Sequence, residues 1–130
     1  MHRSAVFSIL IIASLRGYAS DPCSEAYETG GMVGWKVCQA ESADGSRSEL
    51  ESVYDSLVNE LVYPEYLKSS QLQWNIYAEK HCEFIATGAQ GGSGHGAILS
   101  QCQNEMFKKR AEELRQYLGC RDTGCPPLKD

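Results

Sequence analysis

Positive charge is scarce in this chain: 12 Lys and Arg stand against 17 Asp and Glu, a formal net charge of −5 at neutral pH. Histidine is scarcer still, at 3 residues, and no two cysteines have the spacing C-x-x-C. No apolar–polar alternation runs long enough for a half-buried strand, and no segment repeats. Each shortage excludes something. A surface short of Lys and Arg cannot neutralise a phosphate backbone, so nucleic acid is not expected as a partner. Without paired ligand spacing the usual tetrahedral zinc sites have no counterpart. The nearest substitutes are His95 with Cys102 and the adjacent His81-Cys82, whose side chains point to different sides of a helix. No metal and no cofactor is expected. With strand periodicity missing, helices are left to build the fold.

The longest apolar run, Ala5–Leu15, follows a short basic start (Met1-His2-Arg3) and precedes the small-x-small triplet Gly17-Tyr18-Ala19. That order predicts a signal peptide over residues 1–19, cleaved near Ser20. The run is shorter than the roughly 20 apolar residues of a membrane-spanning helix. No Cys follows the cut directly, so neither a lipid anchor nor any other stable membrane anchor is expected. The mature chain is therefore read as exported, periplasmic or secreted. Its charge is uneven, because residues 21–83 carry twelve acidic against four basic residues while 84–130 are nearly balanced. Such a field favours a basic protein partner, chiefly through encounter rate and selectivity.

A mature chain of this size makes one domain and gains from covalent cross-links. Six cysteines, Cys23, Cys38, Cys82, Cys102, Cys120 and Cys125, read as three disulfides in an exported protein. Three helical stretches are legible. Ser46-Arg47-Ser48-Glu49 has the form of a capping box and predicts a helix start, followed by Leu50, Val53, Tyr54, Leu57, Val58 and Leu61 at helical spacing. A second helix is predicted from about Pro64 to Ile85 along Leu67, Gln71, Trp74, Ala78, Cys82 and Ile85, widened by Ile76 and Tyr77. A third is predicted from about Ala97 to Leu118 through Cys102, Met106, Arg110, Leu114 and Leu118. A glycine-broken helix within Cys23–Ala40 would bring the total to four. The expected fold is an all-α, disulfide-stapled bundle of three to four helices over residues 20–118, with 119–130 as a Cys- and Pro-containing tail.

The glycine-rich stretch GAQGGSGHG, residues 88–96, is the first place to look for chemistry. Gly91 and Gly96 have phosphate-loop spacing, yet Ala97-Ile98 stand where a Lys and a hydroxyl are needed. A dinucleotide loop would follow a strand, and this one follows a helix. Ser93 and His95 lack a third member or an oxyanion hole. A small hydrolase pairing His95 with Glu83 is therefore the weakest reading, and no enzyme is expected. Ser93 and His95, with Glu51 and Asp55 on the exposed side of the first helix, remain candidate partner contacts.

Gln71-x-x-Trp74, then Tyr77 and Cys82, resembles the Q-x-x-W-x-x-Y-R-x-x-x-C pattern of the lysozyme inhibitor LprI-like domain. The Gly-Gly loop, Cys102 and Arg110-Ala111-x-x-Leu114 follow in the same order, and Leu50-x-x-x-Tyr54 is similar to its L-N-x-x-Y helix. Cys23 and Cys38 correspond to its first two cysteines, so the likeness covers residues 23–118. Four positions depart from it: Ala78 replaces the Arg after the Tyr, Ser46-Arg47 an Ala-Asp, and Glu51 an Asn. The resemblance implies a small exported helical module with a motif core of Gln71, Trp74, Tyr77, Arg110 and Leu114. It implies two bridges among Cys23, Cys38, Cys82 and Cys102, in any of three pairings, with Cys120 and Cys125 left to close a small loop. It also implies a protein-binding function, inhibition of lysozyme-type muramidases in one branch. An immunity-type or envelope-binding module with another protein partner is the alternative.

Overall fold

The computed structural model describes residues 21–130; the expected signal peptide lies outside them. Three α-helices follow in order, α1 (Ser24–Glu60), α2 (Pro64–Ala86) and α3 (His95–Arg115), with one 3-10 turn at Thr87–Ala89. Among the described residues the only β pairing is an isolated antiparallel bridge between Leu61 and Leu128. The fold is the all-α bundle, stapled by Cys23–Cys38, Cys82–Cys102 and Cys120–Cys125.

α1 is two helices joined at a reversal. Gly31 has φ 59° and ψ −148°, a conformation that side chains rarely adopt. Cys23 and Cys38, 15 residues apart, have Cα atoms 5.6 Å apart. A straight helix would separate them by roughly 22 Å at its rise per residue. The short arm, 24–30, therefore lies back on the long arm, 32–60. The arms approach so closely that a Cβ on Gly34 would sit 2.2 Å from the Ala26 carbonyl oxygen. Asp21 closes the hairpin electrostatically. Its carboxylate accepts from the Cys23 backbone N–H at 2.9 Å, the Trp35 indole at 3.1 Å and the buried Gln39 carboxamide at 3.0 Å.

The expected helix start at Ser46 is corrected by this arrangement. The long arm runs unbroken through that point, and Ser46 is buried in mid-helix, its hydroxyl donating to Asn104 Oδ1 on α3. Ser-x-x-Glu caps a helix only where the preceding chain leaves it. Here Gly45, a weak helix former, is carried along because the whole face from Gln39 to Leu57 is needed against α3.

α3 is the element the other helices share. It packs along the long arm of α1 and against α2, whereas α1 and α2 meet at few points. Leu50, Val53, Leu57 and Leu61 of the first segment form the core with Ala111 and Leu114 of α3. Fully burying a leucine contributes about 1.5–3 kcal/mol. On the other side the Cys82–Cys102 bridge ties α2 to α3, with its Cα atoms 5.5 Å apart. Buried Ala78, Ala86 and Ala97 leave room for that approach.

α2 keeps Gln71, Ala78, Cys82 and Ala86 buried, but Ile76, Tyr77 and Ile85 are largely exposed. With α1 splayed away, only a narrow line of α2 is covered, so the wider stripe read from spacing overstates its burial. α3 begins two residues before the predicted Ala97 and ends at Arg115, three before Leu118, which still packs on the core. The segment after it is not loose. Leu128 joins the core margin, Val62 N–H donates to the Pro127 carbonyl at 3.0 Å, and Lys129 N–H donates to the Glu60 carbonyl at 2.7 Å. Lys129 Nζ also reaches the Asn59 carbonyl at 3.0 Å, placing a cation at the carbonyl end of α1.

The hairpin makes a contrasting pair of predictions. Gly34→Ala should destabilise the domain by about 1–3 kcal/mol in denaturant unfolding, because backbone must move to admit the methyl. Gly30→Ala, with nothing within 4 Å of the added atom, should be neutral or stabilising. Equal behaviour of the two variants would contradict the folded-back arms.

Candidate functional site

Because α1 and α2 diverge over α3, they leave a groove of about 620 Å³ between them. Its apolar lining comes from Leu50 and Tyr54 of α1, Leu72 and Ala78 of α2, and Met106 and Phe107 of α3. Arg47, Glu51, Lys68, Gln71 and Glu79 add polar groups. Gln71 is the buried polar residue of the lining, and both ends of its carboxamide are engaged. It donates to Asn75 Oδ1 at 3.0 Å and accepts from Arg110 Nε at 3.0 Å.

Arg110, outside the groove lining itself, is the hub of a cluster built on Gln71. Its other nitrogens reach Glu113 at 3.0 Å and Ser70 Oγ at 3.3 Å, and its guanidinium lies 5.7 Å from the Trp74 ring centroid. Trp74 in turn faces Phe107 at 6.3 Å and 49°, and Arg47 lies 5.0 Å from the Phe107 ring. Two cations thus flank two aromatic rings across all three helices. Cation–π contacts of this kind contribute about 0.5–2 kcal/mol each. Among the described residues no buried side-chain nitrogen or oxygen lacks a partner.

The motif residues Gln71, Trp74 and Arg110 are brought into direct contact, and Leu114 is buried in the adjoining core. Tyr77 is not part of that cluster: it is exposed and stacks on His81 at 5.6 Å. Glu51 lines the groove, and Asp55 is exposed one turn further along α1. Ser93 and His95 lie elsewhere, with Ser93 exposed in the glycine loop and His95 half-buried as the first residue of α3. That loop turns at Gly91, φ 77°, and Gly94 approaches Trp35 and Met32 rather than the groove. Glu83, the carboxylate weighed as a partner for His95, is bonded to Lys80 at 2.9 Å. All six cysteines are in disulfides, so no thiol is free to act as a nucleophile.

Sequence reasoning missed Asp21, Trp35 and Gln39 as one cluster, and the Arg47–Phe107 and Ser46–Asn104 contacts. Asp21 does carry a local signal, an Asp accepting from the N–H two residues on at the head of a helix. The inter-helix contacts carry none. On the outer surface Arg115 bridges Glu49 at 2.5 Å and Glu112 at 2.9 Å, and these hydrogen bonds hold its guanidinium above the usual range.

Fold and groove define a class: a small, disulfide-stapled helical domain whose buried polar residues serve packing and whose helices leave an apolar groove edged by charged residues. Within that class, the chain belongs to the lysozyme inhibitor LprI family, whose model matches residues 23–114. The chain is also 27% identical over 82 residues to an uncharacterized protein of Rhizobium meliloti (strain 1021). That alignment covers 63% of this chain and 55% of the relative, so the chain spans about half the relative's length. No solved structure matches. The three disulfides fit an oxidising compartment outside the cytosol. No helix among the described residues is long and apolar enough to cross a membrane.

The Arg110 hub yields a stability prediction. Arg110→Met keeps the apolar stem but strands the Gln71 oxygen, so unfolding free energy should fall by about 1–3 kcal/mol. Arg115→Met, which removes an exposed ion-pair network, should cost distinctly less. The opposite order in urea titrations would count against Arg110 as the hub.

Proposed function

We propose that the chain is an exported, non-enzymatic domain that binds and inhibits a basic, lysozyme-type muramidase, acting in the periplasm or as a secreted protein. The observation that carries this reading is the family match over residues 23–114. The acidic balance of residues 21–83 supports it, since opposite fields speed encounter between an inhibitor and a basic enzyme. Glu51 and Asp55 are the candidate contacts on α1, and Ser93 and His95 those at the glycine loop.

One observation favours a second reading, an immunity-type or envelope-binding module with a different partner. Of the four residues that depart from the family pattern, Arg47, Glu51 and Ala78 line the groove, while Ser46 is buried against Asn104. A changed lining is what a changed partner would require.

Purified protein should inhibit a lysozyme-type muramidase at micromolar concentration in a cell-wall hydrolysis assay. Inhibition should weaken on the order of ten-fold when the screening length drops from about 30 Å to about 8 Å between ~0.01 M and ~0.15 M salt. Unchanged hydrolysis at both ionic strengths would remove the muramidase from the account and leave the second reading.

A further inference from the structure

The groove has a polarity that identifies its occupant. Glu41, Asp44, Glu51 and Asp55 follow at intervals of three, seven and four along α1, so they share one exposed side. On α2, Glu65, Leu72, Ile76, Glu79 and Glu83 share another by the same spacing, and all are exposed. Glu51 belongs to the first row, Leu72 and Glu79 to the second, and all three line the groove. Among the described residues, ion pairs engage only Glu83 of these carboxylates. Between the rows the wall is apolar, lined by Leu50, Tyr54, Met106 and Phe107, and Leu72 at its α2 edge is 59% exposed.

We infer that the α1–α2 groove is a docking surface for a basic segment of a partner protein, one that sets an apolar side chain between the rows and Lys or Arg against the carboxylates. This rests on the reading of the chain as a protein-binding domain, and it places the contact on the groove rather than on the glycine loop. Arg47 and Lys68, inside the lining, balance Glu51 and Glu79 there, so the excess negative charge lies along the flanks. Those two cations meet the inserted segment's carbonyl oxygens while its own cations meet the rows. An apolar or acidic segment would leave the row carboxylates unpaired or repelled, at a cost in specificity and on-rate.

The test uses the full mature chain, a basic lysozyme and, separately, a fluorescent amphipathic helix of Lys and Leu. Leu72→Lys and the pair Glu51→Lys/Asp55→Lys alter exposed positions, and thermal melts check that each variant folds. Phe84→Ser, 69% exposed and off the groove side of α2, serves as the control, and His95→Ala tests the glycine loop as the competing contact. Both probes should bind the native chain, with each groove variant at least ten-fold weaker and Phe84→Ser unchanged. If lysozyme binds and the groove variants bind it equally well, the docking surface is wrong while the inhibitor reading stands. If lysozyme fails but the peptide binds and loses affinity with the groove variants, the muramidase reading falls and the docking surface stands. Failure of both probes, or loss confined to Phe84→Ser or His95→Ala, overturns the inference.

Discussion

α3 has to lie against both other helices at once, and that double contact organises the molecule. Leu114 and Ala111 close the core with α1, while Cys102 is covalently tied to Cys82 of α2. Buried alanines make the second contact close, and the leucines of α1 make the first one apolar. A single helix in that position holds its neighbours apart. The groove is a consequence of that separation, not a feature added to a closed bundle.

Polar residues divide into two populations with different physical roles. Those inside, Gln39, Ser46, Gln71 and Asn104, are buried, and Asp21 and Arg110 beside them are partly covered. They pair with one another as Gln39–Asp21, Ser46–Asn104 and Gln71–Arg110, as buried polar groups must find partners. Of those outside, Glu41, Asp44, Glu51 and Asp55 of α1 form no ion pair among the described residues, whereas Glu49 is held by Arg115. The first population fixes how the helices meet, and the second leaves a surface field for another molecule to read.

Much of this was legible in residue order. The stripes through Leu50–Leu61, Gln71–Cys82 and Cys102–Leu114 located all three long helices, because each has a partner to bury against. What failed was local. Ser46-x-x-Glu49 looks like a helix start, yet the alternative use of Ser46, a bond to Asn104, lies 58 residues away. Gly31 and Gly34 both looked like breaks, but one reverses the chain and the other admits a neighbouring backbone. Only the Cys23–Cys38 closure, absent from linear spacing, distinguishes those roles. Exposed Ile76 and Tyr77 were taken into the α2 stripe because periodicity does not report how wide a face the partner covers. Glu51 was legible as exposed and acidic, but its place beside an apolar groove depends on where α3 holds α2.

The central claim is that a basic protein is held along the carboxylate rows flanking the groove. Zero-length carbodiimide cross-linking of the complex with a basic muramidase, read by peptide mass spectrometry, tests it most directly, since only carboxylates touching partner amines are joined. The account predicts cross-links at Glu51, Asp55 and Glu79. Cross-links confined to Asp122 and Asp130 in the C-terminal segment, with Glu51, Asp55 and Glu79 unmodified by the partner, would contradict it.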